Sequence, residues 1–186
     1  MAIVAGALWR RIDIPGHDAC RLEQRENGWS IRGMAVFRHA AGPACIEYSM
    51  LCDQNWHALS GRVCGVVGKR QTESVIARTN GLWTLNGMVV AGLEEAVDLD
   101  FSFTPATNFP QLQRIAMAGE QGSSLPTAWF ELDSGSLTNM PQTYIRRGER
   151  TFWYQAPSVG YAGLLEVAAN GFISNYPNLW EAEELF

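Results

Sequence analysis

Along most of the chain apolar and polar positions alternate with a period of two. Ile46, Tyr48, Met50 and Cys52 alternate with Glu47 and Ser49, and Val97, Leu99, Phe101 and Phe103 alternate with Asp98, Asp100 and Ser102. Successive side chains on a strand point to opposite faces, so each stretch predicts a strand with one face in a core. The same pattern predicts strands over 8–13, 18–25, 29–37, 56–67, 72–79, 82–85, 112–117, 127–132, 142–147, 151–155, 164–168 and 172–174. Turn signals separate them at short intervals: Pro15-Gly16, Asn27-Gly28, Gly42-Pro43, Asn80-Gly81, Asn86-Gly87, Gly148-Glu149 and Asn170-Gly171. Asn-Gly between extended runs marks a hairpin, because both turn positions need positive φ. The phase slips near Gly33, which predicts a bulge there. Helical periodicity over three turns is absent. Leu93–Ala96 reads as one helical turn, and the acidic run 179–186 predicts a short terminal helix or a frayed end. The fold class is mainly β: an antiparallel sandwich, barrel or curved half-barrel with little helix. No low-complexity linker interrupts it, so residues 1–186 are expected to form one domain.

The stretch 97–110 is the centre of this pattern. After Phe103 the alternation stops. Thr104-Pro105 opens a segment that Pro110 closes, with Thr107-Asn108 between them. Proline lacks a backbone donor and biases the preceding residue towards extended conformations, so a regular strand is not expected to run through. The prediction is a strand with an oily face and an acidic face entering a polar, restricted loop. Asp98 and Asp100 would lie ~6–7 Å apart on one face. Three readings remain open for them: the solvated side of a half-exposed strand, a ligand-binding or loop-pinning pair, and the paired carboxyls of glycoside hydrolysis.

Composition narrows the classes. The chain has 186 residues and a formal charge of −5, a poor balance for binding phosphate backbones, so no nucleic-acid partner is expected. The basic group Arg146, Arg147 and Arg150 reads as a solvated strand end. Four cysteines, Cys20, Cys45, Cys52 and Cys64, form no C-x-x-C pair, and with three histidines no metal site or cofactor is expected. No nucleophile elbow or phosphate loop is present, so no catalytic residue is assigned. Arg10 and Arg11 follow the short apolar start instead of preceding it, the reverse of a secretory signal, and no apolar run is long enough to span a bilayer. A cytoplasmic location is expected. Seven tryptophans and five tyrosines read mostly as core, the alternative being the lining of a curved sheet around an amphiphile.

Trp9-Arg10-Arg11, Tyr48 with Leu51-Cys52-Asp53 and Trp56, Gly81-Leu82-Trp83 with Asn86-Gly87, Asp98-Leu99-Asp100 with Thr104-Pro105-Ala106-Thr107-Asn108 and Pro110, Gln142-Thr143-Tyr144, and Gly171 with Tyr176-Pro177 follow one another in order. This set resembles the Putative glycolipid-binding family, formerly a domain of unknown function. The chain departs from the family pattern at His17 and across 109–114. The resemblance implies a curved β-sheet like that of lipoprotein carriers and non-enzymatic binding of a glycolipid or other amphiphile. The candidate lining residues are then Tyr48, Trp56, Trp83, Phe101, Phe103 and Tyr144, and the candidate anchors are Asp98, Asp100, Asn108 and Arg114. The alternatives are a hydrolase acting on a sugar or ester through Asp98 and Asp100, and an interaction module forming a homodimer through an exposed strand.

Overall fold

The computed structural model describes residues 2–119 and 122–186. Six long strands open the chain as an antiparallel meander: β1 (Ala2–Arg11), β2 (Gly16–Arg25), β3 (Gly28–His39), β4 (Gly42–Cys52), β5 (Ala58–Val67) and β6 (Arg70–Thr79). A short arm follows, β7 (Leu82–Leu85) and β8 (Met88–Val89). Next come β9 (Asp98–Phe101), a 3-10 turn (Ala106–Asn108), α1 (Phe109–Ala118), β10 (Gly122–Leu125), β11 (Thr127–Glu131) and β12 (Ser136–Asn139). The chain ends with β13 (Gln142–Arg146), β14 (Thr151–Ala156), β15 (Tyr161–Val167), β16 (Ile173–Tyr176) and β17 (Trp180–Leu185).

Among the described residues, fourteen strands form one curved antiparallel sheet in the order β10-β13-β14-β15-β16-β17-β1-β2-β3-β4-β5-β6-β7-β8. It does not close on itself; β10 and β8 are its edges. The remaining three strands form a small sheet, β12-β11-β9, in which β9 and β11 run parallel.

The turn chemistry acts as the sequence implies. Asn80 and Asn86 have φ of 52° and 50°, each followed by a glycine also at positive φ, and they bracket β7. Four expectations need correction. At Gly33 the register runs unbroken against both β2 and β4. The glycine instead leaves room for the Tyr48 ring, whose hydroxyl occupies the place of a Cβ. Residues 112–117 are not a strand but part of α1, so a helix of ten residues exists where none was expected. Pro110 sits in its first turn, where a missing N–H costs nothing. The tail is not helical either: β17 pairs antiparallel with β1. Glu and Ala favour helix locally, but the second edge of β1 supplies a ladder that outweighs propensity. Finally, β9 is not half-exposed, since all four of its residues are buried.

The small sheet and α1 fill the inner side of the curve. Leu99 and Phe101 pack on Gly61 of β5. Phe101 also meets Tyr48 at 6.0 Å and Phe130 at 6.2 Å between ring centroids. One end of the curve is closed by an aromatic column: Trp29 on Trp56 (4.4 Å), Trp56 on Phe109 (5.3 Å), Phe109 on Phe172 (4.5 Å) and Phe172 on Trp9 (5.5 Å). Strand direction puts the turns 12–15, 157–160 and 177–179 together at the opposite end. There the Ile12 N–H donates to the Leu179 carbonyl (2.9 Å) and the Tyr161 hydroxyl to the Pro177 carbonyl (2.8 Å).

The close approach of Tyr48 to the β3 backbone makes Gly33 sensitive. Gly33→Ala forces that ring aside in a filled interior and is expected to cost about 1–3 kcal/mol. Urea unfolding checks this; an unchanged midpoint would show that the ring moves freely.

Candidate functional site

Three aspartates are buried on the inner side. Alternation on β2 turns Asp18, Cys20 and Leu22 inward, and the parity of β9 places Asp98 and Asp100. The Tyr48 hydroxyl donates to the Asp18 carboxyl, 2.9 Å from one oxygen and 3.0 Å from the other, and Thr104 Oγ1 donates to the same group. Thr104 Oγ1 in turn accepts the Ala106 N–H at 3.0 Å. Asp100 accepts from Thr107 Oγ1 (2.5 Å) and Gln142 Nε2 (2.6 Å). Asp98 accepts from Arg114 Nη2 at 2.7 Å. Asn108 Nδ2 donates to the Tyr144 hydroxyl (2.7 Å), which donates to Gln111 Oε1 (2.5 Å). The segment read from sequence as a polar loop is therefore inside the protein, and its polar side chains are the partners of buried groups.

Burial dominates the acidity of all three carboxyls. It pushes Asp18 up to about 7 against the bonds from Thr104 and Tyr48. It pushes Asp98 up to about 6 against the pull of Arg114. It pushes Asp100 up to about 6 against the bonds from Thr107 and Gln142.

Beside Asp100 lies a partly open cavity of about 260 Å³. It opens toward the end of the sheet that holds the three turns. Asp100, Thr104 and Asn108 contribute its buried polar wall and Ser102 an exposed polar rim; Phe101, Trp129, Tyr154, Tyr161, Tyr176 and Trp180 contribute rings; Met140, Ala156, Val159 and Leu179 complete it. Val159 is half exposed at the mouth. Larger hollows, of about 380 to 470 Å³, are open surface grooves.

Of the residues singled out from sequence, Asp100, Phe101 and Asn108 are on the cavity wall. Tyr48 and Phe103 pack behind it, with ring centroids 5.7 Å apart, and Tyr144 stands behind Asn108. Asp98 turns to Arg114, so the two β9 carboxyls do not converge on one cleft. Trp56 belongs to the aromatic column, and Trp83 donates its ring N–H to the Ala96 carbonyl at 2.9 Å. His17 faces outward, 3.3 Å from Glu183. Sequence reasoning assigns none of Trp129, Met140, Tyr154, Tyr161, Tyr176 and Trp180 to the site, although Tyr176 stands in the family pattern and the other aromatics read as core or lining in general. Trp129 is the register partner of Asp100 across the parallel pair. Tyr154 stands opposite Gly163, and the Tyr161 ring crosses that gap.

Fold and cavity together define a curved antiparallel sheet wrapped around a buried insert, with an aromatic-walled hollow beside Asp100. Residues 6–182 match the family model described as Putative glycolipid-binding, and the chain belongs to that family. Two solved structures share the fold. One is a DUF1089 family protein from Pseudomonas aeruginosa (TM-score 0.75, 18% identity, 88% of this chain and 91% of that chain covered). The other is a β-barrel-like protein of the DUF1849 domain of unknown function from Brucella abortus (TM-score 0.59, 11% identity, 98% and 97% covered). Comparison with curated proteins gave no match. Among the described residues, no helix is long and apolar enough to cross a membrane, and no group of acids, histidines and cysteines is arranged to hold a metal ion.

The raised aspartates give stability a definite pH dependence. Between the ordinary aspartate value of 3.8 and the folded values of about 6 to 7, the folded chain keeps protons that the unfolded chain has released. Their contribution is complete below the lower limit and lost as pH rises through the upper one. Thermal unfolding is expected several degrees higher at pH 5 than at pH 8, and Asp18→Asn should shrink that difference. A midpoint that climbs from pH 5 to pH 8 would contradict the assignment.

Proposed function

We propose that this protein binds the polar end of an amphiphile, such as a glycolipid, in the cavity beside Asp100, without transforming it. One observation carries the reading: the hollow is polar where Asp100, Thr104 and Asn108 are buried, aromatic along its sides, and open past Val159 and Leu179, with Ser102 on its exposed rim. Hydroxyl or amine groups of a ligand meet Asp100, Asn108 and Thr104. The flat faces of a small head group are buried against rings, whose apolar bodies and polar tips suit such a guest.

Size sets the orientation. At about 260 Å³ the cavity is below the ~300–1,000 Å³ usual for small-molecule sites. It has room for the equivalent of about nine waters at ~30 Å³ each, enough for a head group and too little for a long acyl chain as well. The tail therefore leaves past Val159 and Leu179, with Ile12 hydrogen-bonded beside them. Four free cysteines, one of them exposed, suit the reducing cytoplasm.

Octyl glucoside, titrated below its micellar concentration, tests the reading through tryptophan fluorescence. A saturable change is expected, and Val159→Trp, which narrows the mouth, should weaken it at least tenfold without lowering the unfolding temperature. Absence of saturation, or equal affinity in the variant, would overturn the proposal.

A further inference from the structure

Asp100 differs from its neighbour two residues earlier in how its charge is met. Asp98 has the Arg114 guanidinium at 2.7 Å. Asp100 has only neutral partners, the Thr107 hydroxyl, the Gln142 amide and backbone. A buried carboxylate without a cation must take up a proton or find a positive charge elsewhere. The cavity wall offers none, because no lysine, arginine or histidine lines it. Arg11, which lies over the ring of the lining residue Trp180, is already engaged. It pairs with Asp13 at 2.7 Å, and its guanidinium lies 4.9 Å from the Phe37 and Trp180 ring centroids.

The remaining rings are suited to a cation. Trp129 stands in register with Asp100 on the neighbouring strand. Tyr154, Tyr161 and Tyr176 form a cluster with centroid separations of 5.9, 5.8 and 5.1 Å. Aromatic faces carry negative potential, which attracts ammonium groups and repels anions. A phosphate or carboxylate head would meet Asp100 with no countercharge, a desolvated like-charge contact that disfavours it.

Resting on the amphiphile reading for its location, the geometry points to the charge of the guest: we propose that the cavity holds an ammonium or quaternary-ammonium head group, seated between the Asp100 carboxylate and the rings of Trp129, Tyr154, Tyr161 and Tyr176. The groups facing Asp100 keep this attraction dependent on Asp100 itself. Asp98 is held by Arg114, Asp18 reaches the same wall only through Thr104, and burial pushes the Tyr144, Tyr154 and Tyr176 hydroxyls well above their ordinary range, so they stay neutral.

Calorimetric titration of the purified protein with choline chloride, against its uncharged isostere 3,3-dimethylbutan-1-ol, tests the charge directly. At pH 7.5 choline is expected to bind at least tenfold tighter than the alcohol. That preference should shrink about tenfold at pH 5 and disappear in Asp100→Asn. Tyr161→Leu, at a half-buried ring outside the hydrogen-bond network of the aspartates, should weaken choline binding while circular dichroism stays unchanged, and it carries the test if Asp100→Asn does not fold. Equal binding of the two compounds, a preference that survives at pH 5, or no choline binding would overturn the inference. If octyl glucoside still binds while choline does not, the charge assignment alone falls. If choline binds and octyl glucoside does not, the charge assignment stands and the glycolipid reading falls.

Discussion

The architecture depends on bringing donors to buried carboxylates. Asp18 is bonded by two hydroxyls, Asp100 by a hydroxyl and an amide, and Asp98 by one guanidinium. A buried acceptor left unbonded costs about 1–3 kcal/mol, more when charged. The donors Thr104, Thr107 and Arg114 all lie in one short stretch after β9. Bringing a donor to each of the three acids therefore fixes the path of that stretch, although the second Asp98 oxygen stays without a partner among the described residues: the stretch folds inward as a 3-10 turn and a helix instead of running over the surface. Because two of the three acids are hydrogen-bonded by neutral groups alone, burial prevails over their ionisation, and the same contacts that place the insert also place titratable groups near neutral pH.

That path partitions the interior. Phe109, at the start of α1, is pressed into the aromatic column, and the column closes one end of the curved sheet. The small sheet covers the middle through Leu99, Phe101 and Phe130. At the other end the insert leaves a gap against β14 to β17, with Asp100 and Asn108 at its inner wall and the turns around Ile12, Val159 and Leu179 at its mouth. The hollow is thus a consequence of how the acids are bonded, and its polarity gradient follows from which elements border it.

Much of the fold is legible in the chain. Period-two alternation and Asn-Gly turns locate nearly every long strand, because each strand has one buried face and each hairpin needs positive φ. The helix is hidden for a physical reason. Its buried face includes Gln111, which bonds Thr127, so a polar residue occupies a core position and breaks the apolar period. The tail is hidden because Glu181, Glu183 and Glu184 resemble a helix end until β1 supplies a partner. The alternation of Asp98 and Asp100 shows two faces but not what covers the second one. That depends on Gln142 and Arg114, which only the folded chain brings near. For the candidate site the same limit holds: Asp100, Phe101 and Asn108 stand in one recognisable stretch, whereas Tyr154, Tyr161 and Tyr176 converge only through the order of three neighbouring strands.

The central claim is that a guest enters head first, with its chain outside. Crystals grown with an alkyl amphiphile brominated at the end of its chain test this most directly, through the anomalous signal of bromine. The expected peak lies beyond the mouth, outside Val159 and Leu179, with the head group in contact with Asp100. A bromine peak buried beside Asp100 and Tyr154, or seated in a groove on the outer face, would contradict the account.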